Sequence, residues 1–576
     1  MPAFDKARFF SIRAMRRCIL LLCLASLMQS TAAAQVTGRL SGTVEDAGGK
    51  ALAGARATLT LPESSVVYSS TITSRTGAFL FPALRPVFYD LTVDAPNFTT
   101  QTLKNVEVDP AAETSLPPIH LALGHARRVA KAPEQSLETA SVDVASTANY
   151  DQMGRLPLPG RDPFYLVDML PGVQHNGRAP LAIYGQSASL ANITYDGLIM
   201  QESFMRANSL DSTTLSPRTD QISEATVVTG AIYGCGCSQV AFSTPGGGAS
   251  FHASAYWLAI PKGITAQYWA DNSRNMPATT NLSQLGATFG GPLRKDKLFF
   301  FLNYEADLDR STVTRTGDVP GSPLTSRDPL MQQVLGLIPS NPSGKYRGTQ
   351  NNGGTASIGL ARLDYLASAR HSFGLTFAFR NSSTDDPSDS SVFGRKPTTT
   401  VGVSSPFFAA SWRWSPTARL TNEVRAGASL PGIDFRNSLR SRFGFIAILN
   451  DPNVSVSQPM SGVDPQGRDD HLHSYQDNLT WTVGKHSLQA GLWLQQYRLQ
   501  SYGFNNGPLD SLTVPRYVVS DIAEGAITEA DQRFNIASPT SGYSSGSTAR
   551  SKLSANMISG YFHENWRLLR SLTISL

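Results

Sequence analysis

The chain has 576 residues, of which 41% are hydrophobic and 16% charged, and it contains 47 glycines and 35 prolines. Several domains are expected at this length, and a helical membrane protein is excluded because no apolar run after residue 30 approaches the roughly 20 residues of a membrane helix. The net charge of +5 falls to +1 without residues 1–34, which hold five basic side chains and one acidic one, so no basic face indicates nucleic-acid binding.

Residues 1–34 are predicted to be a secretory signal peptide. Arginines precede an apolar run at residues 18–28, and small residues at 32–34 provide a cleavage site. Met15 is an alternative start that gives a signal of conventional length. The alternative interpretation of the segment is a buried N-terminal helix.

Residues 36–123 are predicted to form a small β-sandwich. Apolar and polar residues alternate over residues 55–61 and again over 89–93, as they do in half-buried strands. Turn-forming residues at 46–49 and 75–77 separate the strands. Several short strands with turns between them are typical of a sandwich.

The same segment resembles the carboxypeptidase regulatory-like domain. The motifs that carry the resemblance are Gly42-Thr-Val-Glu-Asp46, Leu52-Ala-Gly-Ala55, Thr76-Gly-Ala-Phe79, Tyr89-Asp-Leu-Thr-Val93 and Ala95-Pro-Asn-Phe98. Zinc carboxypeptidase chemistry needs a His-x-x-Glu pair and a second histidine on the metal. Because this segment contains only His120, we expect the domain to be non-catalytic.

Residues 151–255 are predicted to be a compact mixed α/β domain. Its motifs are Leu156-Pro-Leu-Pro-Gly-Arg-Asp162, Leu170-Pro-Gly-Val173, Tyr184-Gly-Gln186, Ile193-Thr-Tyr-Asp-Gly197 and Gln221-Ile-Ser-Glu-Ala-Thr-Val-Val-Thr229. In this order they resemble the plug domain of TonB-dependent outer-membrane receptors, in the Oar-like branch of that family. We expect tight turns at Gly160, Gly172, Gly185 and Gly197.

The segment between these two domains, residues 124–150, is predicted to be a flexible linker because it shows neither a helical nor a strand period. In the resembled receptors, a short extended segment near this place is bound by TonB through strand addition, which requires an unpaired backbone and β-tolerant residues. The candidate TonB box is Ala140, Ser141, Val142, Asp143 and Val144.

Cys235 and Cys237 are the two cysteines that remain after export. They form a strained disulfide across one residue, or they are two separate thiols, and the sequence leaves both alternatives open. A metal site would need further ligands close by in sequence, and none occur there.

Residues 280–576 are predicted to be the N-terminal part of an antiparallel transmembrane β-barrel. Residues 285–305, two strands that flank a Gly-Pro-basic turn, resemble the hairpin that opens the barrel in Oar-like receptors. Residues 373–380, 479–483 and 488–494 alternate apolar with polar or small side chains, as transmembrane strands do. The alternative interpretation of this alternation is a soluble protein of several sandwiches.

Aromatic residues and long polar segments fit the same interpretation. We expect residues 380–396 and 538–552 to be extracellular loops, which are longer than the periplasmic turns of such barrels. Six aromatic side chains are expected in the girdles at the two membrane surfaces: Trp412, Trp414, Trp493, Tyr497, Tyr561 and Trp566.

The candidate strands after residue 280 number roughly eight to ten, whereas the resembled receptors close at about 22. An open sheet in lipid would leave an unpaired edge. We therefore expect the chain to be a fragment of a longer protein, or a sheet that cannot close alone.

No catalytic, metal-binding or cofactor-binding residues are predicted. His471 and His473 share a strand face without further ligands, and His563 stands beside Glu564 alone. The segment Gly185-Gln-Ser-Ala-Ser189 lacks the closing glycine of a nucleophile elbow.

The resemblance implies uptake of a scarce or large substrate across the outer membrane, energised through TonB, with the N-terminal domain in the periplasm. The implied partners are the TonB inner-membrane complex, outer-membrane lipids, the barrel assembly machinery and a substrate that the sequence does not identify. No cofactor and no nucleic acid are implied. The alternative is a surface adhesion or protein-export component of the outer membrane without energised uptake.

Overall fold

A computed structural model describes the chain from residue 38 to residue 575. The gaps in this description are residues 63–66, 85–86, 109–112, 125–126, 132–143, 150–155, 157, 177–178, 188–190, 203–214, 230–237, 263–279, 319, 328, 330–331, 333–339, 387–398, 418, 438–445, 452–455, 460–465, 503–515, 522–525, 532–534, 537–542, 545–550 and 570–571. The predicted signal peptide and the pair Cys235 and Cys237 lie outside the described residues.

The N-terminal domain is a two-sheet sandwich, as predicted. Its strands are β1 (Gly38–Asp46), β2 (Arg56–Thr60), β3 (Val67–Ile72), β4 (Ala78–Leu84), β5 (Phe88–Asp94), β6 (Thr100–Glu107), β7 (Glu113–Ser115), β8 (Ile119–Leu121) and β9 (Arg127–Lys131). One sheet has the order β4-β1-β7 with β8 also paired to β1, and the other has the order β3-β2-β5-β6-β9. The alternating residues Leu59, Leu91 and Val93 point into the shared core. At the predicted turn after β1, the carboxylate of Asp46 accepts from the backbone N–H of Gly48 at 2.9 Å.

The second domain is a mixed sheet with few helical residues. It consists of β10 (Val144–Asn149), α1 (Phe164–Val167), β11 (Val173–Asn176), β12 (Ala179–Ile183), β13 (Gln186–Ser187), β14 (Asn192–Tyr195), β15 (Leu198–Ile199), β16 (Glu224–Thr229) and β17 (Gln239–Ser243), with 3-10 turns at Pro159–Arg161 and Thr219–Gln221. The main sheet has the order β10-β16-β17-β14-β15, in which β14 and β17 are parallel. A smaller sheet has the order β11-β12-β13.

All four predicted turn glycines of this domain have positive φ angles: Gly160, Gly172, Gly185 and Gly197. The requirement for glycine is strictest at residue 172, where φ is 82° and a β-carbon would collide with the ring of Tyr184. The predicted turns are therefore confirmed at these positions.

The prediction of a linker without regular structure at residues 124–150 is wrong at both ends. β9 adds to the sandwich parallel to β6, and β10 adds to the plug sheet antiparallel to β16. Strand addition at a sheet edge satisfies backbone groups and does not require an alternating side-chain pattern. The sequence pattern was therefore the wrong guide to these two strands.

The remainder of the described chain is dominated by one antiparallel sheet. Its strands are β18 (His252–Ile260), β19 (Leu282–Arg294), β20 (Leu298–Asp309), β23 (Gly354–Ser368), β24 (His371–Asp386), β25 (Thr399–Ser404), β26 (Phe407–Thr417), β27 (Leu420–Ser429), β28 (Gly432–Asn437), β31 (Gln466–Val483), β32 (His486–Tyr502), β37 (Ser551–Leu569) and β38 (Leu572–Ser575). They pair in chain order except between β24 and β31. There β24 pairs with both β25 and β26, β25 pairs with β28, β26 pairs with β27, and both β27 and β28 pair with β31. The predicted partial antiparallel barrel is confirmed.

Short turns lie at one end of this sheet and long connections at the other. The long connections carry small ribbons of their own: β21 (Thr312–Asp318), β22 (Lys345–Asn351), β29 (Ile446–Asp451), β30 (Val456–Pro459), β33 (Arg516–Asp521), β34 (Ala526–Asp531), β35 (Asn535–Ile536) and β36 (Tyr543–Ser544). We call the two ends the short-turn end and the long-loop end. Outer-membrane barrels have their short turns on the periplasmic side.

The barrel begins one strand earlier than predicted. β18 pairs with β19 from His252↔Gly290 to Ile260↔Leu282, so residues 252–260 belong to the barrel sheet. The sequence does not reveal β18 because small and polar residues, Ala253, Ser254 and Ala255, interrupt its alternation.

Two predicted loops overlap with strands. β24 continues to Asp386, paired with β25 as far as Thr399, and β37 already begins at Ser551. These strands continue through polar sequence, beyond their apolar residues, because the backbone hydrogen bonds between neighbouring strands do not depend on side-chain polarity.

The aromatic girdle prediction is correct in part. Trp412 and Trp414 are exposed on the outer face of the sheet. Trp493 is buried on the inner face, and Tyr497 and Tyr561 pack against it, so their assignment to the girdle is wrong. Since neighbouring residues of a strand face opposite sides, the exposed Leu492 already places Trp493 inside.

Among the described residues, no helix is long and apolar enough to span a membrane.

Candidate functional site: the contact between plug and barrel

The plug lies against the inner face of the barrel sheet and shares a hydrophobic core with it. Buried plug residues such as Tyr195 and Phe242 form one cluster with barrel residues such as Phe301 and Phe407. The rings of Tyr195 and Phe407 meet edge to face with centroids 5.6 Å apart. Buried apolar contact therefore fixes the position of the plug, and charged groups add to it at three places.

The first place is a set of five charged side chains, here called the Glu305 cluster. Its members are Arg161, Arg218 and Asp220 of the plug and Glu305 and Asp307 of β20. The Nε atom of Arg218 donates to Glu305 Oε1 at 2.9 Å, and its Nη2 atom donates to Asp307. Arg161 pairs with Asp220, and its Nη1 atom lies 3.6 Å from Glu305 Oε2. Glu305 and Asp307 face the plug together because they are two residues apart on one strand.

A tyrosine of β18 completes the Glu305 cluster. The hydroxyl of Tyr256 donates to Glu305 Oε2 at 2.5 Å, and the guanidinium carbon of Arg161 lies 3.9 Å from the centroid of the Tyr256 ring. Burial lowers the pKa of Arg161, but Asp220, Tyr256 and Glu305 outweigh burial and raise it. Arg161 therefore remains a cation inside this contact.

The second place, here called the Asp196 cluster, surrounds the tight turn between β14 and β15. Asp196 and Gly197 both have positive φ angles, 47° and 82°, and this turn projects the Asp196 carboxylate onto the barrel wall. Arg362 Nη1 donates to Asp196 Oδ2 at 2.9 Å, and the Thr376 hydroxyl donates to the same oxygen at 2.7 Å. Arg425 donates to the backbone carbonyl of Asp196.

Plug and barrel share the remaining bonds of the Asp196 cluster. Thr244, at the end of β17, donates to Asp196 from its backbone N–H at 3.0 Å and from its hydroxyl at 2.6 Å. Arg362 is also held by two bonds of 2.9 Å to Asp364, its neighbour on the same strand face. Burial alone would raise the pKa of Asp196, but Arg362, Thr244 and Thr376 lower it well below its usual value. The turn therefore places a permanent negative charge against the cation of Arg362 and the hydroxyl of Thr376 on the barrel wall.

The third place is a single ion pair between Glu202 of the plug and Arg468 of β31. Two bonds join them, at 2.6 and 2.9 Å. Burial raises the pKa of Glu202 more than Arg468 lowers it, so the net shift is upward. In contrast to Asp196, this site disfavours the charged carboxylate.

The sandwich lies at the short-turn end of the barrel. Arg413 of β26 donates to the hydroxyl of Tyr68 at 2.6 Å, and its guanidinium carbon lies 5.1 Å from the centroid of the Tyr68 ring. A cavity of about 300 Å³ separates the three parts, lined by Tyr68 and Phe88 of the sandwich, Asp196 of the plug and Arg362 of the barrel, among others. This location agrees with the expected periplasmic domain.

The residues singled out in the sequence do not converge on one place. Of the candidate TonB box, residues 140–143 lie outside the described part of the chain, and Val144 is the first residue of β10. His120 lies on the sandwich surface, 3.9 Å from Glu45. His563 faces the inner side of β37, whereas its neighbour Glu564 bonds to His486 on the other face. Within the described ranges, no three His, Cys, Asp or Glu side chains form a metal-binding group.

Sequence reasoning missed the charged contacts, although some of their residues lay within its motifs. Arg161, Asp196 and Glu305 all occur in the motifs that resemble plug and barrel. Glu305 and Asp307 offered a local signal, because two acids on one face of a predicted transmembrane strand require buried cations. Nothing local indicated that Arg218 supplies one.

Comparisons with known proteins follow the same division of the chain. The family model of the outer membrane beta barrel domain matches residues 243–325 and 320–576, and that of the carboxypeptidase regulatory-like domain matches residues 39–122. No curated protein sequence shows a significant match.

Three solved structures illustrate the similarity. The chain is similar to the outer membrane transporter YddB from Escherichia coli, with 11% identity and a TM-score of 0.48 over 75% of this chain and 59% of that one. The siderophore receptor PirA from Acinetobacter baumannii has 13% identity and a TM-score of 0.47, over 75% and 55%. The ferric enterobactin receptor of Pseudomonas aeruginosa has 13% identity and a TM-score of 0.45, over 75% and 56%. The chain spans a little more than half the length of these structures.

Proposed function

Because this chain belongs to the family of outer membrane beta-barrel domains, we propose that it forms the plug-gated part of a receptor that takes up a scarce or large substrate through the outer membrane, with energy delivered by TonB. The observation that carries the proposal is the folded domain held against the inner wall by buried ion pairs. A permanently open pore needs no such domain. A domain that fills the lumen and can be displaced by an applied pull is what energised uptake requires.

The domain division follows from the same proposal. Residues 1–34 would direct export, residues 36–131 would be the periplasmic sandwich with β9, residues 144–251 would be the plug with β10, and the barrel would begin with β18. The linker would be residues 132–143, and residues 140–143 of the candidate TonB box would lie at its end. The barrel assembly machinery and outer-membrane lipids are the further partners that such a protein needs.

The place of the candidate TonB box supports energy transfer to the plug. Residues 140–143 immediately precede in sequence Val144, the first residue of β10, which is an edge strand of the plug sheet. A partner that captures this segment by strand addition would thus pull on the plug through one strand, without an intervening domain.

The proposal is tested by measuring binding of the full-length protein to the periplasmic domain of TonB from the same cell. We expect binding that is lost when residues 140–143 are deleted and kept when four other linker residues, 134–137, are deleted. If both deletions bind equally, the box lies elsewhere while TonB coupling stands. If no form of the protein binds TonB, energised uptake is contradicted and the adhesion or export alternative is favoured.

A further inference from the structure

The plug is attached unequally around the lumen. We call β20, β23, β24, β26 and β27 the first wall, and β31, β32 and β37 the second wall. The first wall holds both the Glu305 and Asp196 clusters and the shared apolar core. Among the described residues, the contacts of the second wall with the plug are the pair of Arg468 and Glu202, a hydrogen bond from Gln476 to Gly197 and a small apolar cluster around Trp493.

The second wall carries buried polar atoms that the described residues of the plug do not satisfy. Gln476, Trp493 and Gln495 are 4%, 2% and 2% exposed, and they lie close together because Gln476 pairs directly with Trp493. Among the described residues, no partner bonds to Gln476 Oε1, Asn478 Nδ2, Trp493 Nε1 or Gln495 Nε2.

The other ends of the three amides show that these side chains are held in place. Gln476 Nε2 donates to the carbonyl of Gly197 at 3.0 Å, so its oxygen must point elsewhere. Asn478 Oδ1 accepts from the Tyr561 hydroxyl and Gln495 Oε1 accepts from the Tyr497 hydroxyl, each at 2.9 Å. The unpaired atoms are thus fixed on the wall, with Trp493 beside the plug residue Ile199.

Buried polar atoms without partners destabilise the contact that buries them. Both walls carry such atoms, because Arg380 Nε on β24 of the first wall also lacks a partner among the described residues. On the first wall, the two charged clusters and the shared apolar core offset this cost, whereas the described contacts of the second wall with the plug are few. Of these two contacts, the one with the second wall is therefore the one that separates first when the plug is displaced.

We propose that the path for the substrate opens along the second wall and that Gln476, Asn478, Trp493 and Gln495 then contact the substrate. This inference rests on the proposed function. The exposed set would offer three N–H donors, one carbonyl acceptor and the faces of aromatic rings, without a charge. Such a surface complements an uncharged molecule that is rich in oxygen acceptors and has an apolar side.

Thiol labelling in living cells tests the path. The full-length protein, with Cys235→Ser and Cys237→Ser, receives either Gln495→Cys on the second wall or Ala409→Cys on the first wall, where Ala409 is 6% exposed. A small uncharged maleimide is added from outside, with TonB present or deleted. We expect slow labelling of both without TonB, and with TonB at least tenfold faster labelling of Gln495→Cys than of Ala409→Cys.

The possible results separate this inference from the proposed function. Labelling that depends on TonB but is as fast at residue 409 overturns the inference and leaves energised plug movement standing. Labelling that TonB does not change at either position contradicts the proposed function and the inference together. If Gln495→Cys does not assemble, Ser559→Cys replaces it, since Ser559 pairs with Trp493 and differs from cysteine by one atom.

The chemical class is tested with thiol reagents of equal size and different charge. In energised cells, Gln495→Cys should react several-fold faster with the uncharged reagent than with the anionic or cationic one, after correction for their rates with a free thiol. A faster reaction with either charged reagent would overturn the assignment of an uncharged substrate.

Discussion

Replacement of Asp196 by asparagine removes the charge of the plug turn while nearly preserving its shape. Asp196 Oδ2 accepts from Arg362, Thr244 and Thr376 at 2.6 to 2.9 Å. In the variant these bonds lose their charge assistance, and Arg362 loses one of its two acidic partners. We expect the plug to be held less tightly against the first wall.

The magnitude follows from the contacts that remain. Breaking a buried ion pair by removing one partner costs roughly 3–5 kcal/mol when the other charge is left alone. Arg362 keeps its two bonds to Asp364, which places the expected loss near the lower limit, at about 3 kcal/mol. A loss of this size is about a hundredfold in the equilibrium between seated and displaced plug.

Hydrogen exchange of the purified full-length protein reports the consequence, because a plug that has lost the support of the first wall opens its own sheet more often. Amides of β14 should exchange faster in Asp196→Asn, by up to about a hundredfold, whereas amides of β1 in the sandwich should not change. The matched control is Asp434→Asn, because the pair of Arg436 and Asp434 is 75% and 33% exposed and such pairs contribute at most about 1 kcal/mol. Equal exchange of β14 in the wild type and Asp196→Asn would refute the role given to this charge.

The pH dependence of the Asp196 contact has a definite sign. Its pKa is depressed in the folded protein, so its contribution is complete above the ordinary value of 3.8 and is lost as the pH falls below it. Between pH 7 and pH 5, the difference between the wild type and Asp196→Asn should therefore stay constant.

Two further substitutions give contrasting expectations. Glu202→Gln should loosen the plug less than Asp196→Asn does, because the raised pKa of Glu202 shows that its site disfavours the charged carboxylate. For the same reason, the contact of Glu202 in the wild type should strengthen as the pH falls towards 4.5. Exchange of plug amides at several pH values measures both effects. Gly172→Ala should destabilise the plug by at least about 1 kcal/mol more than Gly160→Ala does, as measured by urea unfolding. Both glycines have a positive φ angle, but only the β-carbon added at residue 172 would collide with a side chain, the ring of Tyr184. Equal losses for the two glycine variants would show that backbone conformation alone sets the cost.

Much of the fold could be predicted because its strands follow from side-chain patterns that repeat every two residues. The alternation from Phe373 to Phe379 predicts β24 and which of its faces is polar, and the exposed Leu375 and buried Thr376 agree with it. The resemblances of residues 39–122 and of the barrel region are confirmed by the family models. Turn glycines such as Gly197 are predictable because few other residues accept their backbone angles.

The remaining features depend on pairing between distant parts of the chain. β18 and β10 form because a neighbouring strand offers free backbone groups, and their own residues carry weak patterns. The Glu305 cluster joins residues 161 and 305, and the Asp196 cluster joins residues 196 and 425, distances over which one sequence holds no local signal. The inner position of Trp493 could also be predicted from the sequence. Adjacent residues of a strand face opposite sides, and the neighbour Leu492 belongs to the apolar set that faces outwards.

The position of β10 determines how tension would enter the plug. β10 pairs with β16 from Val144↔Thr229 to Asn149↔Glu224, and the residues just before β16, including Arg218, are bonded to the barrel. A load applied ahead of Val144 thus enters the ladder at one end, while β16 is anchored at the other end. A pull along the strand would therefore load all the bonds of the ladder together, and β10 would pass the force to β16 and to the Glu305 cluster instead of separating alone. The Asp196 turn lies at the opposite edge of the sheet and would feel this force last.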